Sequence, residues 1–210
     1  MKKILITAAA LIVSLSAFCQ ETDAKAKGVI DKAAQKLQSG AFVADVQLTF
    51  TEQSGEKAVQ KGEIKMSGNK FRLKISDMET IFDGKTQWVY AQKLNEVTIS
   101  EPDKAELEQI SPLLMMSGYS KKCRITFEPT ENEDGFWHIA LLPFDKKAEF
   151  FRIRIIINKK TNELNKMEFS ARNGERFEIS VGTLKTLAVT AETFVFQKNN
   201  YPKVAINDLR

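Results

Sequence analysis

The strongest constraint on this chain is an alternation. Phe42, Ala44, Val46, Leu48 and Phe50 alternate with Asp45, Gln47, Thr49 and Thr51, the pattern of a strand wet on one face only. The pattern returns along the chain. Ile64 and Met66 alternate with Glu63 and Lys65, and Phe71, Leu73 and Ile75 with Arg72 and Lys74. The runs METIF and QWVY follow, then Val97 with Ile99, then Cys123, Ile125 and Phe127, then FWHIALLPF. Phe151, Ile153, Ile155 and Ile157, then Met167 with Phe169, then Phe177, Ile179 and Val181 complete the series. Turn residues separate these runs, among them Ser67-Gly68-Asn69, Asp83-Gly84, Asp134-Gly135 and Asn173-Gly174. The chain is therefore read as about eleven strands joined by short connections, an antiparallel meander.

So many one-sided strands present a large apolar face. Only two segments have helical spacing, residues 23–38 and 103–118. Two ordinary helices do not cap a flat sheet of that width. The predicted fold is mainly β with lid helices: an incomplete antiparallel β-barrel of about eleven strands enclosing helices and a hydrophobic interior. That interior is either filled by side chains or left as a cavity.

The second helical segment has unusual chemistry. Asp103 and Glu106 match a capping box after Pro102, and Leu107, Ile110 and Leu114 keep helical spacing. Leu113, Met115 and Met116 point to other sides of the same helix, and Pro112 removes a backbone hydrogen bond within it. One reading is a buried helix, apolar all round. The other is a movable cover over a greasy cavity, with adaptable Met side chains and Gly118 as hinge.

The first nineteen residues read as a signal peptide. A basic MKK precedes the apolar run ILITAAALIVSLSAF, and Ala17 with Cys19 suits cleavage before Gln20. The remainder, 20–210, is read as one periplasmic domain. Lys2 and Lys3 leave with the leader, taking two of the four net positive charges, so nothing points to nucleic acid. Acylation of Cys19 is the alternative, although Phe18 is bulky for that signal. Once Cys19 leaves, Cys123 is alone, and stability rests on packing rather than a disulfide.

An enzyme is not expected. The only histidine, His138, shares a strand face with Phe136, Ala140 and Leu142. No Gly-x-Ser-x-Gly elbow is present, and one His with one Cys makes no usual zinc site. Neither a cofactor nor a metal is called for.

The run DGKTQWVY, residues 83–90, resembles a signature of the periplasmic outer-membrane lipoprotein carrier family, LolA, through Asp83, Gly84, Lys85, Thr86, Trp88 and Tyr90. GEIKMSGNKFRL is similar to that family's second and third strands, at Gly62, Ile64, Phe71 and Arg72. SPLLMMSG falls where the family has a proline and an apolar helix, and TFVFQKNNYPKVAINDLR resembles its terminus at Phe194, Phe196, Val204, Ile206 and Asp208.

The resemblance implies a monomeric carrier of acylated lipoproteins. It would receive them from an inner-membrane ABC transporter and deliver them to an outer-membrane acceptor. It implies that Leu107, Ile110, Leu113, Leu114, Met115 and Met116 act as lid and acyl-chain contacts. The cavity lining is expected from Phe42, Val46, Leu48, Phe50, Ile64, Met66, Phe71, Leu73, Trp88 and Tyr90. There is one departure. Relatives end the second strand in an Arg-Pro pair whose arginine holds the lid shut, and this chain has Ser67-Gly68 there, with Lys70 and Arg72 nearby. The alternative reading is a lipid-binding sensor or a lipid-anchored envelope protein of the same fold.

Overall fold

A computed structural model describes residues 22–103, 106, 107, 116, 118, 121–129 and 134–210. The expected leader and the lid candidates Ile110, Leu113, Leu114 and Met115 lie outside the described residues.

Helix α1 spans Ala24–Ser39. Asp23 caps it, its carboxylate accepting from the backbone N–H of Lys25 at 2.8 Å and of Ala26 at 3.0 Å. Its buried stripe is Ala26, Val29, Ile30, Ala33 and Leu37.

The strands are β1 (Ala41–Thr51), β2 (Lys57–Ser67), β3 (Lys70–Ile75), β4 (Met78–Phe82), β5 (Gln87–Ala91), β6 (Glu96–Ser100) and β7 (Cys123–Phe127). After them come β8 (Phe136–Pro143), β9 (Phe150–Asn158), β10 (Leu164–Ala171), β11 (Arg176–Val181), β12 (Lys185–Thr186) and β13 (Ala205–Asp208). All eleven expected runs lie in one sheet, ordered β13-β6-β5-β4-β3-β2-β1-β11-β10-β9-β8-β7, with β12 beside β1.

The sheet is open, with β7 and β13 at its ends. Two features differ from expectation. The sheet has thirteen strands, not about eleven. One pairing, β13 on β6, is parallel. The physical reason for both is the same. β13 is exposed along its length and β12 is two exposed residues, so neither carries a burial-driven alternation. Of the two expected helices, α1 is described throughout, and the second only at 106, 107, 116 and 118.

The register assigns every side chain a face, because residues directly opposite in a ladder share one. The row Leu48–Ile179–Met167–Ile155–Ile139 points inward, as do Ile64–Leu73 and Met66–Phe71. Helix α1 crosses this inner face, touching β2, β9 and β7. Its 16 residues span about 24 Å, against roughly 29 Å for the six strand spacings from β2 to β7. Both ends are pinned. The Asp23 N–H donates to the Ile125 carbonyl at 2.8 Å, and Lys36 Nζ donates to the Thr161 carbonyl at 2.8 Å and pairs with Glu163 at 2.9 Å. Under α1 the core is filled: Ile125, Ile139, Leu141, Ile153, Ile155, Ile157 and Met167 are all 0% exposed.

The opposite, outer face has its own cover. The segment after β12 lays Phe194, Phe196, Tyr201 and Val204 near β4–β6 before joining β6 as β13. Tyr201 lies 4.5 Å from Tyr90 and 4.4 Å from Phe196, ring to ring. Its hydroxyl donates to Glu79 and accepts from Arg72 at 3.1 Å, while Arg72 Nε donates to Glu79 at 2.7 Å.

Candidate functional site

The inner face holds an apolar cavity of ≈ 190 Å³ at the C-terminal end of α1. Val46 and Leu48 line it from β1, Ile64 and Met66 from β2, Leu73 and Ile75 from β3, and Thr80 from β4. Phe177, Ile179 and Val181 come from β11, with Leu37, Leu164 and Leu184 closing it.

The cavity continues into an open groove of ≈ 630 Å³. Leu48, Leu73, Ile75 and Thr80 belong to both. The groove runs on past Gln60, Ser76, Asp77 and Met78 to Ala91, Lys93 and Leu94. Met78 and Leu94 at its mouth are 46% and 73% exposed.

Of the expected lining, Val46, Leu48, Ile64, Met66 and Leu73 meet at the cavity. Phe71 faces inward but packs on Phe82 at 5.7 Å, away from it. Phe42 faces inward with its ring against Gly40, and Phe50 is at the exposed end of β1. Trp88 and Tyr90 do not line it. They pair with Ile81 and Glu79 and so lie on the outer face, where the C-terminal segment meets Tyr90. Eight lining residues were not among the sequence candidates: Leu37, Ile75, Thr80, Leu164, Phe177, Ile179, Val181 and Leu184. The alternation of β11 was the available signal for three of them, but the β1–β11 pairing that brings them in is long-range.

Two lid candidates are described. Met116 is 0% exposed and belongs to the core, and Leu107 is half-buried against it. The capping box forms reciprocally: the Glu106 N–H donates to the Asp103 carboxylate at 2.9 Å, and the Asp103 N–H to Glu106 at 2.8 Å.

Gly68 has φ of 60°, which proline cannot adopt, so the turn after β2 is incompatible with the Arg-Pro pair of the relatives. Arg72 is no substitute, because it lies on the outer face and is engaged by Glu79 and Tyr201. At the Asp83-Gly84 turn, Asp83 accepts from the N–H of Lys85 and Thr86 while Gly84 takes φ of 105°.

Among the described residues no catalytic arrangement stands at the cavity. His138 Nε2 lies 2.7 Å from Asp134 on the outer face of β8. Burial pushes the Cys123 thiol up to about 11, against the opposing charge of Lys122. Among the described residues no three His, Cys, Asp or Glu side chains gather as a metal site would require.

Residues 38–197 match the family model described as outer membrane lipoprotein carrier protein LolA. Comparison with curated proteins gives no match. Among solved structures, an uncharacterized conserved protein from Thermus thermophilus superposes with a TM-score of 0.61 at 14% identity, covering 88% of this chain and 99% of that one. A DUF1329 family protein from Desulfovibrio piger gives 0.50 at 10% identity, covering 85% of this chain and 99% of that one. The MucA/MucB complex of Pseudomonas aeruginosa gives 0.50 at 15% identity, covering 83% of this chain and 62% of the matched one. At these identities the likeness is one of fold.

Proposed function

The chain belongs to the LolA family, and on that premise we propose that it is a periplasmic carrier, not an enzyme. It binds the acyl chains of lipoproteins in the inner-face cavity and moves them from the inner to the outer membrane. The observation that carries this reading is the cavity's chemistry. Of its thirteen described lining residues all but Thr80 are apolar, so binding there is non-directional and rests on removing apolar surface from water. Each buried methylene is worth about 0.8 kcal/mol, so a ~16-carbon chain costs over ~10 kcal/mol to expose. A carrier with no demanding polar contacts shields such a chain and still surrenders it to a tighter acceptor.

The cavity's present size bears on loading. At ≈ 190 Å³ it is near the ~150 Å³ that holds a benzene, far short of a long acyl chain. Loading therefore displaces side chains. Met116, fully buried in the core, and Leu107, packed against it, are the described members of the proposed cover, and neither lines the cavity itself. An inner-membrane ABC transporter as donor and an outer-membrane acceptor are the partners this role requires.

Lipid extraction and mass spectrometry of the protein purified from cell envelopes, beside a matched control protein, test the reading. Copurified acylated species are expected, and a ligand-free protein that also fails to release lipoproteins from inner-membrane vesicles would refute it. The mass of the mature N-terminus separates the lipid-anchored alternative: a start at Gln20 means a free carrier, an acylated Cys19 an anchored one.

A further inference from the structure

The inner face changes character at β4. From β11 through β3 it presents Phe177, Ile179, Val181, Val46, Leu48, Ile64, Leu73 and Ile75 to the cavity. Beyond β4 the lining is mixed: the register turns Gln87, Val89, Ala91, Glu96, Thr98 and Ser100 to the same face. Thr80 stands on the boundary, between Leu73 on one side and Val89 on the other. It is also the one polar residue shared by the cavity and the groove among the described residues. Its hydroxyl makes no hydrogen bond among the described residues, and no buried polar side-chain atom there is left unsatisfied, so this hydroxyl faces open space.

The two compartments differ at their far ends. The closed end is Leu37, Leu164 and Leu184. The open end carries Gln60, Ser76 and the Asp77–Lys93 ion pair, 2.8 Å long, beside the exposed Leu94. Along one path the lining runs from an apolar end, past the Thr80 hydroxyl, to a mixed mouth where Gln60, Ser76 and the Asp77–Lys93 pair stand beside Met78, Ala91 and Leu94. A ligand matching it has an apolar tail, one hydrogen-bond acceptor next to the tail, and a polar head.

We infer that Thr80 is a specificity-determining contact that donates a hydrogen bond to the ester or amide carbonyl joining an acyl chain to its head group. The tail then points to Leu37 and Leu184, and the head lies over the turns that carry Asp77 and Lys93. The inference rests on the acyl-binding reading of the same cavity. It adds the ligand's orientation and the linkage chemistry, which an apolar cavity alone does not read. An alkyl chain without a carbonyl leaves the Thr80 hydroxyl without its partner.

The test is displacement of an environment-sensitive hydrophobic fluorophore from wild type, Thr80→Val and Thr80→Ser. The probes are octanoyl, dodecanoyl and hexadecanoyl lysophosphatidylcholine, the chain-matched alkylphosphocholines, which lack the carbonyl, and a synthetic acylated lipopeptide. Valine keeps the shape of threonine and suits a strand, so the fold is preserved. Thr80→Val is expected to lose about five-fold in affinity for the carbonyl-bearing probes at one or more chain lengths, the equivalent of one net hydrogen bond of about 1 kcal/mol. It leaves the alkylphosphocholines unchanged, and Thr80→Ser restores wild-type affinity. A loss confined to the lipopeptide, or to the lysophospholipid, supports the contact and identifies which source of acyl groups the site reads. Equal losses on carbonyl and alkyl probes, or no loss at any chain length, overturn the contact while acyl binding stands. Failure of wild type to bind any probe overturns the acyl-binding reading and this inference with it.

Discussion

Replacing Tyr201 by Phe removes one hydroxyl and keeps the ring. The ring contacts with Tyr90 and Phe196, at 4.5 and 4.4 Å, survive. What goes is the donation to Glu79 and the acceptance from Arg72, whose side chains are only 12% and 23% exposed. A hydrogen bond to a charged group is worth roughly 1.5–3 kcal/mol net. Here one hydroxyl serves two partners that still hold each other, so the loss is about 2 kcal/mol. For a chain of this size that lowers the melting temperature by about 4–8 °C. Circular dichroism melts and urea titrations with an unchanged slope measure it.

The pH dependence sharpens that test. Burial works to raise the Glu79 carboxyl, but the bonds from Arg72 and Tyr201 outweigh it and hold the group below its ordinary value. Its contribution is therefore present above the unfolded carboxylate range and lost as pH falls through the depressed folded value. Burial, then the bond to Glu79, pushes the Tyr201 phenol up to about 12. That contribution is present below about 10 and lost as pH rises toward 12. The gap between wild type and Tyr201→Phe should be widest between these limits and narrow on both sides. A gap below about 0.5 kcal/mol, or one flat across the range, refutes the argument that this hydroxyl clasps the C-terminal segment to the sheet.

Two further outcomes follow from single positions. A Cβ on Gly62 would sit 2.0 Å from the Lys74 carbonyl oxygen, a backbone atom that cannot rotate away. Gly62→Ala should therefore cost about 1–3 kcal/mol, and a melting temperature equal to wild type would show that β2 and β3 part easily. The Cys123 thiol, 2% exposed and raised to about 11, should ignore a thiol reagent at neutral pH until urea unfolds the chain. Rapid labelling of the native protein would contradict that burial.

Most of the strands from β1 to β11 were legible because their apolar residues recur at alternate positions, although β5 is half-buried along its whole length. β13 was not: Ala205–Asp208 is exposed throughout, with Ile206 at 46%, and it exists because the backbone of β6 offered an unpaired edge. Trp88 and Tyr90 show a subtler limit. Alternation says that they share a face, but not which face. The aromatic side of β5 suggested the interior, yet the inner positions are Gln87, Val89 and Ala91. The outer side is apolar because Phe196 and Tyr201, over a hundred residues later, come back to meet Tyr90. Likewise the cavity's β11 wall depends on β1 pairing with β11 rather than with a sequence neighbour alone, and local periodicity carries no trace of that choice.

These two covers explain where the molecule is able to yield. On the α1 side, isoleucines from β7, β8 and β9 interlock with no exposure, so expansion there would open a close-packed core. On the other side, β3 and β4 alternate between two duties. Arg72 and Glu79 point outward into the clasp with Tyr201, while Leu73 and Thr80 point inward to the cavity. The clasp holds that wall from behind, so an empty cavity cannot vanish by the wall collapsing inward without breaking charged hydrogen bonds. Under the proposed carrier role, a wall held from behind and a filled core beside it would leave exchange with the ligand to the cover rather than to the wall. That division of labour, a wall that keeps its shape while the cover exchanges, is what the proposed carrier role requires.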